Sequence, residues 1–527
     1  MVRPGNDMAR ENCESPTAGV LEANAWPRDR LARACCVALL GLGLFWCAAR
    51  FWGLERAPYG IWMDESRVAL HTACVAETGA PAGGDDWPLF APAFGGGHHP
   101  SILIYFELVW TKLFGSAIAS FRAAIALFNL LTIVGLCLLA GRVGGRLLAL
   151  CVFVSAAISP WSFQFSRVVW EGPIGPACMV FAVLCLLQPP RWHWAVAGGV
   201  FGGLAMFSYP PLRIATPLVL AFVGVIQLRR RELRWRVRDM ALSVAALALT
   251  FLPVLILTLQ GRLSARAMDV AIFSPEHLDQ QRGALSRTAF FFAEFLDNLF
   301  SHFRPSFLLF TGDQNTRHSP HLVGQLSPVD ALALLAVVIW LAFCVQAALR
   351  SATGVVLEPS RYRRKLLLCM GAGVAGFVFG SIPAALTWDG EPHALRSIAA
   401  WPWACFAGGA AFAFWSSQRP RIALPALVVA ASVYTLYYVP SYFRVWEKIP
   451  DEYFRRDVRA AVDKRGDQPI VTVVKPWLDA YGGEQELRYY LIRWGGYDCQ
   501  GSELALRELR HELNAAKAQR RRKRPKR

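Results

Sequence analysis

Ser101-Ile-Leu-Ile-Tyr-Phe-Glu-Leu-Val-Trp-Thr-Lys-Leu-Phe114 is the stretch whose reading decides the topology of this chain. It is apolar enough for lipid. Yet as a helix it would rise only about 21 Å, short of a hydrocarbon core of roughly 30 Å. On a helical projection Ser101, Glu107, Thr111 and Lys112 gather on one side and large apolar residues fill the rest. That is the pattern of an amphipathic helix lying in the membrane interface. Reading it as a span would also put Arg142 and Arg146 on the wrong side of the membrane, so the sequence predicts an interfacial helix.

Around it the chain is built for a bilayer. Of 527 residues 54% are hydrophobic and only 18% charged, and the mean hydropathy is +0.33. Soluble domains carry about 25% charged residues. Apolar runs of roughly 17–23 residues recur, the length that crosses lipid as helix and excludes a barrel. The expected fold is therefore an all-α polytopic membrane protein. About eleven spans are predicted, near 34–53, 118–140, 145–162, 173–189, 193–209, 212–228, 240–259, 328–349, 366–387, 396–415 and 421–440.

Lysine and arginine orient them, because short cytoplasmic loops collect positive charge. With Arg28, Arg30 and Arg33 inside, the inner loops hold Arg142/Arg146, Arg191, Arg229 to Arg238, Arg361 to Lys365 and Arg419/Arg421. The short outer loops hold only Arg167, Arg213 and Arg396. The net charge of +17 is then topogenic, and no nucleic-acid partner is predicted. The basic end Arg520 to Arg527 argues for the inside. Long terminal segments, however, cross largely regardless of charge.

Three domains follow. Residues 1–33 read as a disordered cytoplasmic tail and 34–440 as the membrane domain, with outer loops at 54–117 and 260–327. Residues 441–527 read as a small soluble α/β unit, predicted outside, with a strand at Ile470 to Val474 and helices at Glu484 to Arg493 and Glu503 to Arg520. Thirteen cysteines carry little signal: most lie in or beside spans, and no Cys-x-x-Cys or zinc spacing occurs. Of ten histidines only His193 falls on the inner side, which places the chemistry outside.

No P-loop, Gly-x-Ser-x-Gly or His-Glu-x-x-His appears, which disfavours an ATP-driven pump. A secondary transporter would put ionisable groups and repeated halves at the bilayer midplane. Here polar residues sit at outer span ends instead: Arg122, Arg167, Glu171, Tyr209, Arg213, Asp389, Glu391, His393 and Arg396. The key group is Ile61-Trp-Met-Asp-Glu-Ser-Arg67, which sets Asp64 and Glu65 just past the first span. Acids also favour helix N-termini for purely structural reasons. Near lipid, though, charge is costly and tends to be kept for chemistry.

The chain resembles the polyprenyl-phosphate-sugar glycosyltransferases, a superfamily that includes protein O-mannosyltransferases and the aminoarabinose transferases of lipid A. The resemblance rests on Asp64-Glu65, on His99-Pro100-Ser101, and on Gly115 through Phe121-Arg122. Further echoes are Ser166-Arg167 with Glu171, Tyr209-Pro-Pro-Leu-Arg213 and Pro392-His-Ala-Leu-Arg396. It covers roughly 35–440, and Ser101 departs from the family's doubled proline.

The resemblance implies a GT-C-like fold with amphipathic helices in the first loop, and inverting transfer at the outer leaflet of a bacterial-type inner or plasma membrane. The donor would be a polyprenyl-phosphate-linked sugar; the acceptor would be a protein, lipid or glycan. Such a displacement needs a base and positive charge for the departing phosphate. Asp64 and Glu65 are the expected catalytic residues, with Asp64 as base, and Arg122, Arg167 and Arg396 are the expected phosphate ligands. His98, His99, Tyr209, Arg213 and His318 are candidates for substrate binding. A divalent metal stays open as a cofactor, with His318 and His321 as conceivable partners, because no spacing fixes a site. A transporter or flippase of lipid-linked sugars is the alternative, and an assembly or scaffold protein a further one.

Overall fold

The computed structural model describes residues 29–93, 98–229, 237–261, 263, 268–281, 283, 285–350, 360–389, 392–446, 454–478 and 483–522. Residues 1–28 of the predicted 1–33 tail, much of the basic 229–238 loop, Glu391 and the last five residues lie outside this set, while Arg30 to Arg33 of that tail open a helix.

Each predicted run contains helix. The first is α1 (Arg30–Ala49), started by Asp29, whose carboxylate accepts the Ala32 N–H. The first outer loop holds α2 (Met63–Thr78), a two-stranded ribbon of β1 (Phe90–Pro92) and β2 (His98–Pro100), and α3 (Ile102–Phe114). The helix expected at 101–114 is thus present as α3. The remaining membrane helices are α4 (Ile118–Ile158), α6 (Ile174–Leu186), α7 (Trp192–Ser208), α8 (Leu212–Arg229), α9 (Val237–Leu259), α12 (Pro328–Arg350), α13 (Arg361–Ala385), α14 (Trp401–Gln418) and α15 (Pro420–Val445). The short α5 (Pro160–Phe165) follows α4, while α10 (Pro275–Gln281) and α11 (Arg287–Ser301) belong to the second outer loop.

The 41 residues of α4 are two helices back to back, broken at Gly145 with φ +80°. The Ser162 hydroxyl donates to Asn129 Oδ1 at 2.8 Å, although 33 residues separate them. A straight helix would hold them about 50 Å apart. The chain therefore reverses at Gly145, in a left-handed conformation that glycine adopts without penalty.

Among the described residues five helices are long and apolar enough to cross a membrane: α1, α4, α9, α13 and α15. Shorter apolar helices lie at Ile174–Leu186, Leu212–Gln227 and Pro328–Ala342, and the expected count of eleven spans is not confirmed. Helix α6, for instance, has 13 residues, about 20 Å of rise, because it begins at Pro173 and stops before Gln188-Pro-Pro. Likewise α14 begins at Trp401-Pro402, where proline suits the first turn, and not at Arg396. Arg421 meets Asp29 at 3.6 Å, and the Tyr362 hydroxyl donates to Gly144 O, so the start of α15 lies by the start of α1 and the start of α13 by the break in α4.

The C-terminal unit comprises α16 (Arg456–Asp463), α17 (Ile470–Val474), α18 (Gly483–Gly495) and α19 (Cys499–Arg522). The expected strand at Ile470 to Val474 is instead the helical turn α17, so among the described residues the unit is all-α and not α/β. Ile470 and Val474 are buried with Leu487, Tyr490 and Leu491, and this packing overrides the β-branched preference. The unit is also not a separate appendage. Its Val458, Val462 and Leu487 share one apolar core with Ile61, Val68, Leu103 and Phe121 of the first loop and second span. A Cys74–Cys499 disulfide joins α2 to the start of α19. The Cys499 N–H beside it donates to Glu77 Oε2 at 2.6 Å.

Candidate functional site

Helix α2 begins at the acidic pair, and the two carboxylates part company there. Glu65 Oε2 accepts the Trp62 N–H at 2.9 Å, closing the first turn. Arg122, from the opening of α4, donates Nε to Glu65 Oε1 and Nη2 to Oε2, each at 2.8 Å. Val169 N–H takes the remaining site on Oε1 at 2.9 Å, so the Glu65 carboxylate accepts four bonds and is fully buried. Arg122 is equally saturated. Its other three N–H groups reach the carbonyls of Leu54, Pro58 and Gly60, so all five donors are engaged inside the fold.

Gly60 makes this turn possible. Its φ is +95°, and a Cβ there would lie 1.9 Å from Phe454 O. Glu65, expected as a catalytic group, and Arg122, expected as a phosphate ligand, thus have their polar atoms engaged inside the fold.

Arg167, the second expected phosphate ligand, is held by backbone in a similar way. It is buried, with Nε on Ala57 O at 3.0 Å, Nη1 on the carbonyls of Ala49 and Arg50, and Nη2 on Gly53 O. Its cation also lies over the Phe163, Tyr442 and Phe443 rings. It caps the negative carbonyl end of α1, a favourable place for a cation. Arg50 supports the same region from within, donating to Asn129 Oδ1 and the Ser162 hydroxyl.

Asp64, by contrast, keeps 39% of its side-chain surface. Its Oδ2 accepts the Trp62 indole N–H at 3.0 Å, and buried Arg67 approaches Oδ1 at 3.8 Å. Glu171 shares its field. Burial raises the Glu171 pKa to about 7; the charge on Asp64 adds to the rise, while the Glu171 backbone and Arg67 oppose it. Two nearby carboxyls with separated proton affinities are the ordinary equipment of acid–base chemistry.

The second outer loop reaches Trp62, the partner of Asp64. The Arg317 guanidinium lies 4.1 Å from the Trp62 ring, and the Gln164 amide donates to Arg317 O at 2.7 Å. Next to it, His318 packs between Phe165 and Trp170 with its Nδ1 2.7 Å from Asp313 Oδ2. Asp313 also accepts N–H bonds from Asn315 and Ala394. Burial works against its charged form. The charge and hydrogen bond of His318, the charge of His393 and the Ala394 N–H outweigh that and hold its pKa down at about 2.

His393 completes the group, its ring 4.7 Å from that of His318. Arg396 lies one turn on, bonded through Nη2 to Asp389 Oδ2 at 3.0 Å and through Nη1 to Thr387 Oγ1 at 2.9 Å. Asp64 is thus linked through Trp62 to Arg317, the neighbour of His318, and His318 through His393 to Arg396.

The ribbon splits the two histidines as adjacent strand residues must be split. His98 is exposed, while His99 Nε2 is buried with no hydrogen-bond partner among the described residues, its ring 5.6 Å from His71. Tyr209 caps α7 in an extended conformation beside Gly172, and Arg213 Nε in α8 is likewise buried without a partner among the described residues. Sequence reasoning named His393 among the polar residues at span ends but did not single out Asp313 or Arg317. The signal was the density of polar side chains in Thr311-Gly-Asp-Gln-Asn-Thr-Arg-His318.

No family model matches the chain, and no curated protein matches it. Among solved structures it is similar to ArnT from Cupriavidus metallidurans bound to undecaprenyl phosphate. The identity is 16%, over 89% of this chain and 75% of that one, with a TM-score of 0.41. The same protein in the apo state gives 18% identity, 86% and 84% coverage and a TM-score of 0.44. It is also similar to the archaeal oligosaccharyltransferase AglB from Archaeoglobus fulgidus, in complex with an inhibitory peptide and a dolichol-phosphate. There the identity is 15% over 87% of this chain, the TM-score is 0.45, and the chain spans 59% of that protein's length.

Proposed function

We propose that this chain is an integral membrane glycosyltransferase that moves a sugar from a polyprenyl-phosphate donor to an acceptor hydroxyl outside the cytoplasm, inverting the anomeric centre. The observation that carries the reading is Asp64, a half-open carboxylate set beside Glu171 and bonded to the ring on which Arg317 stacks.

Asp64 takes the proton of the acceptor hydroxyl as its oxygen bonds to the anomeric carbon. The bond from that carbon to the phosphate oxygen breaks on the opposite side, and its electron pair leaves with the phosphate. Arg317, which bonds the Asn315 side chain, and Arg396, which bonds Asp389 and Thr387, are the cations assigned to meet that charge, by exchanging those side-chain partners for the phosphate. An outer location is supported by the Cys74–Cys499 bridge, because disulfides persist in oxidising compartments.

The test uses membranes containing the full chain and a labelled polyprenyl-phosphate sugar, comparing wild type with Asp64→Asn and Arg317→Ala. Transfer falls by about 10²-fold or more in Asp64→Asn. Undiminished transfer would refute the assignment, and movement of lipid-linked sugar across the bilayer without transfer would favour a flippase.

A further inference from the structure

Asp313, His318 and His393 come from two outer segments far apart in sequence, yet one potential ligand atom from each lies within 4.8 Å of the other two. Asp313 and His318 sit in the second outer loop, just after the π-helical turn at Ser306–Phe310, and His393 lies in the turn that leads into α14. Asp313 and His318 are almost fully buried. We infer that these three side chains form a binding site for one divalent cation of the zinc class, which clasps the second outer loop to the segment before α14. The inference stands independently of the transferase reading.

The donor set selects the ion. Two imidazoles and one carboxylate suit zinc and its transition-metal neighbours, whereas calcium and magnesium prefer oxygen ligands throughout. Ligand bonds of about 2.0–2.2 Å in a tetrahedron require donor atoms roughly 3.3 Å apart. Asp313 Oδ2 and His318 Nδ1 are now 2.7 Å apart with a proton between them, so a cation that replaces the proton spreads them only slightly.

Outer partners already hold two of the ligands in place. Ala394 N–H sits on Asp313 Oδ2 at 2.7 Å and Asn315 N–H on Oδ1 at 2.8 Å. The His393 N–H donates to His302 Nε2, and His302 Nδ1 in turn donates to Asn298 O. Such supports orient metal ligands and sharpen their affinity. One contact is lost on loading: Arg396 N–H now sits on His393 Nδ1 at 3.1 Å, and the ring gives it up whichever nitrogen ligates. Three protein ligands leave a fourth position for water or substrate, the stoichiometry of a working zinc site and not of a closed structural one.

The experiment takes full-length protein in detergent, strips it with a chelator, dialyses it against zinc and measures bound metal by mass spectrometry. One equivalent is expected in wild type and in the exposed control His511→Ala. In Asp313→Asn and His393→Gln the affinity falls by more than about tenfold. Because either ligand variant may unfold, cobalt(II) is also loaded into the wild type, which is expected to show the intense visible bands of four-coordinate cobalt. Wild type that takes up no zinc and shows only the pale spectrum of hydrated cobalt overturns the proposal, leaving a buried ion pair. Well-folded ligand variants that bind like wild type overturn it equally.

Discussion

Arg122 grips Glu65 by both oxygens at 2.8 Å, and neither side chain has any exposed surface. The same guanidinium collects three carbonyls from the 54–60 turn, so one fork ties the first loop to the second span. Removing one partner strands a buried charge, which costs about 3–5 kcal/mol. Glu65→Gln and Arg122→Lys are therefore expected to lower thermal stability and yield sharply, by about that amount. Thermal unfolding in detergent measures it. A Glu65→Gln protein as stable as wild type but inactive would return Glu65 to the chemistry.

Asp64 should behave in the opposite way. It is half open, and an asparagine amide oxygen in its place can still accept the Trp62 indole N–H. Asp64→Asn is expected to change stability by no more than about 0.5 kcal/mol. Transfer activity should nevertheless drop by about 10²-fold or more. Unfolding midpoints and initial rates on the same preparation separate the two effects.

Much of this architecture was readable from the chain. Run length placed the helices, and the short run at 101–114 placed α3. What the arginines do was not readable, because it depends on where carbonyls 49–60 point, and no local pattern encodes that. Arg122 and Arg167 stood where a phosphate would want them and were taken up by backbone instead. Ile470 to Val474 has strand chemistry but lies against Tyr490 and Leu491, a contact made only in three dimensions. The bridge between Cys74 and Cys499 spans 425 residues, beyond any spacing rule.

That bridge gives the next prediction. It fastens α19 to the helix whose first turn carries Asp64, over a core shared by the C-terminal unit and the first loop. Closing so long a loop is worth roughly 2–4 kcal/mol. Cys74→Ser and Cys499→Ser should each destabilise by about that amount and speed proteolysis within 454–522. Thiol titration of denatured, unreduced wild type should find both residues blocked. Finding both free would remove the support for an oxidising compartment.

Glu171 supplies a prediction in pH. Its folded pKa of about 7 stands above the ordinary 4.5, chiefly through burial. The protonated form is thus favoured by folding. The stability it contributes is complete below pH 4.5 and is lost as pH rises through about 7. Glu171→Gln, which cannot ionise, should lack that decline, so the wild-type midpoint should fall relative to the variant's between roughly pH 5 and 8. Asp64→Asn, by removing a neighbouring negative charge, should shift the decline to lower pH. Midpoints of the three proteins across that range provide the check. A wild-type minus variant difference that stays flat with pH would mean that Glu171 is ionised throughout and cannot serve as the acid partner of Asp64.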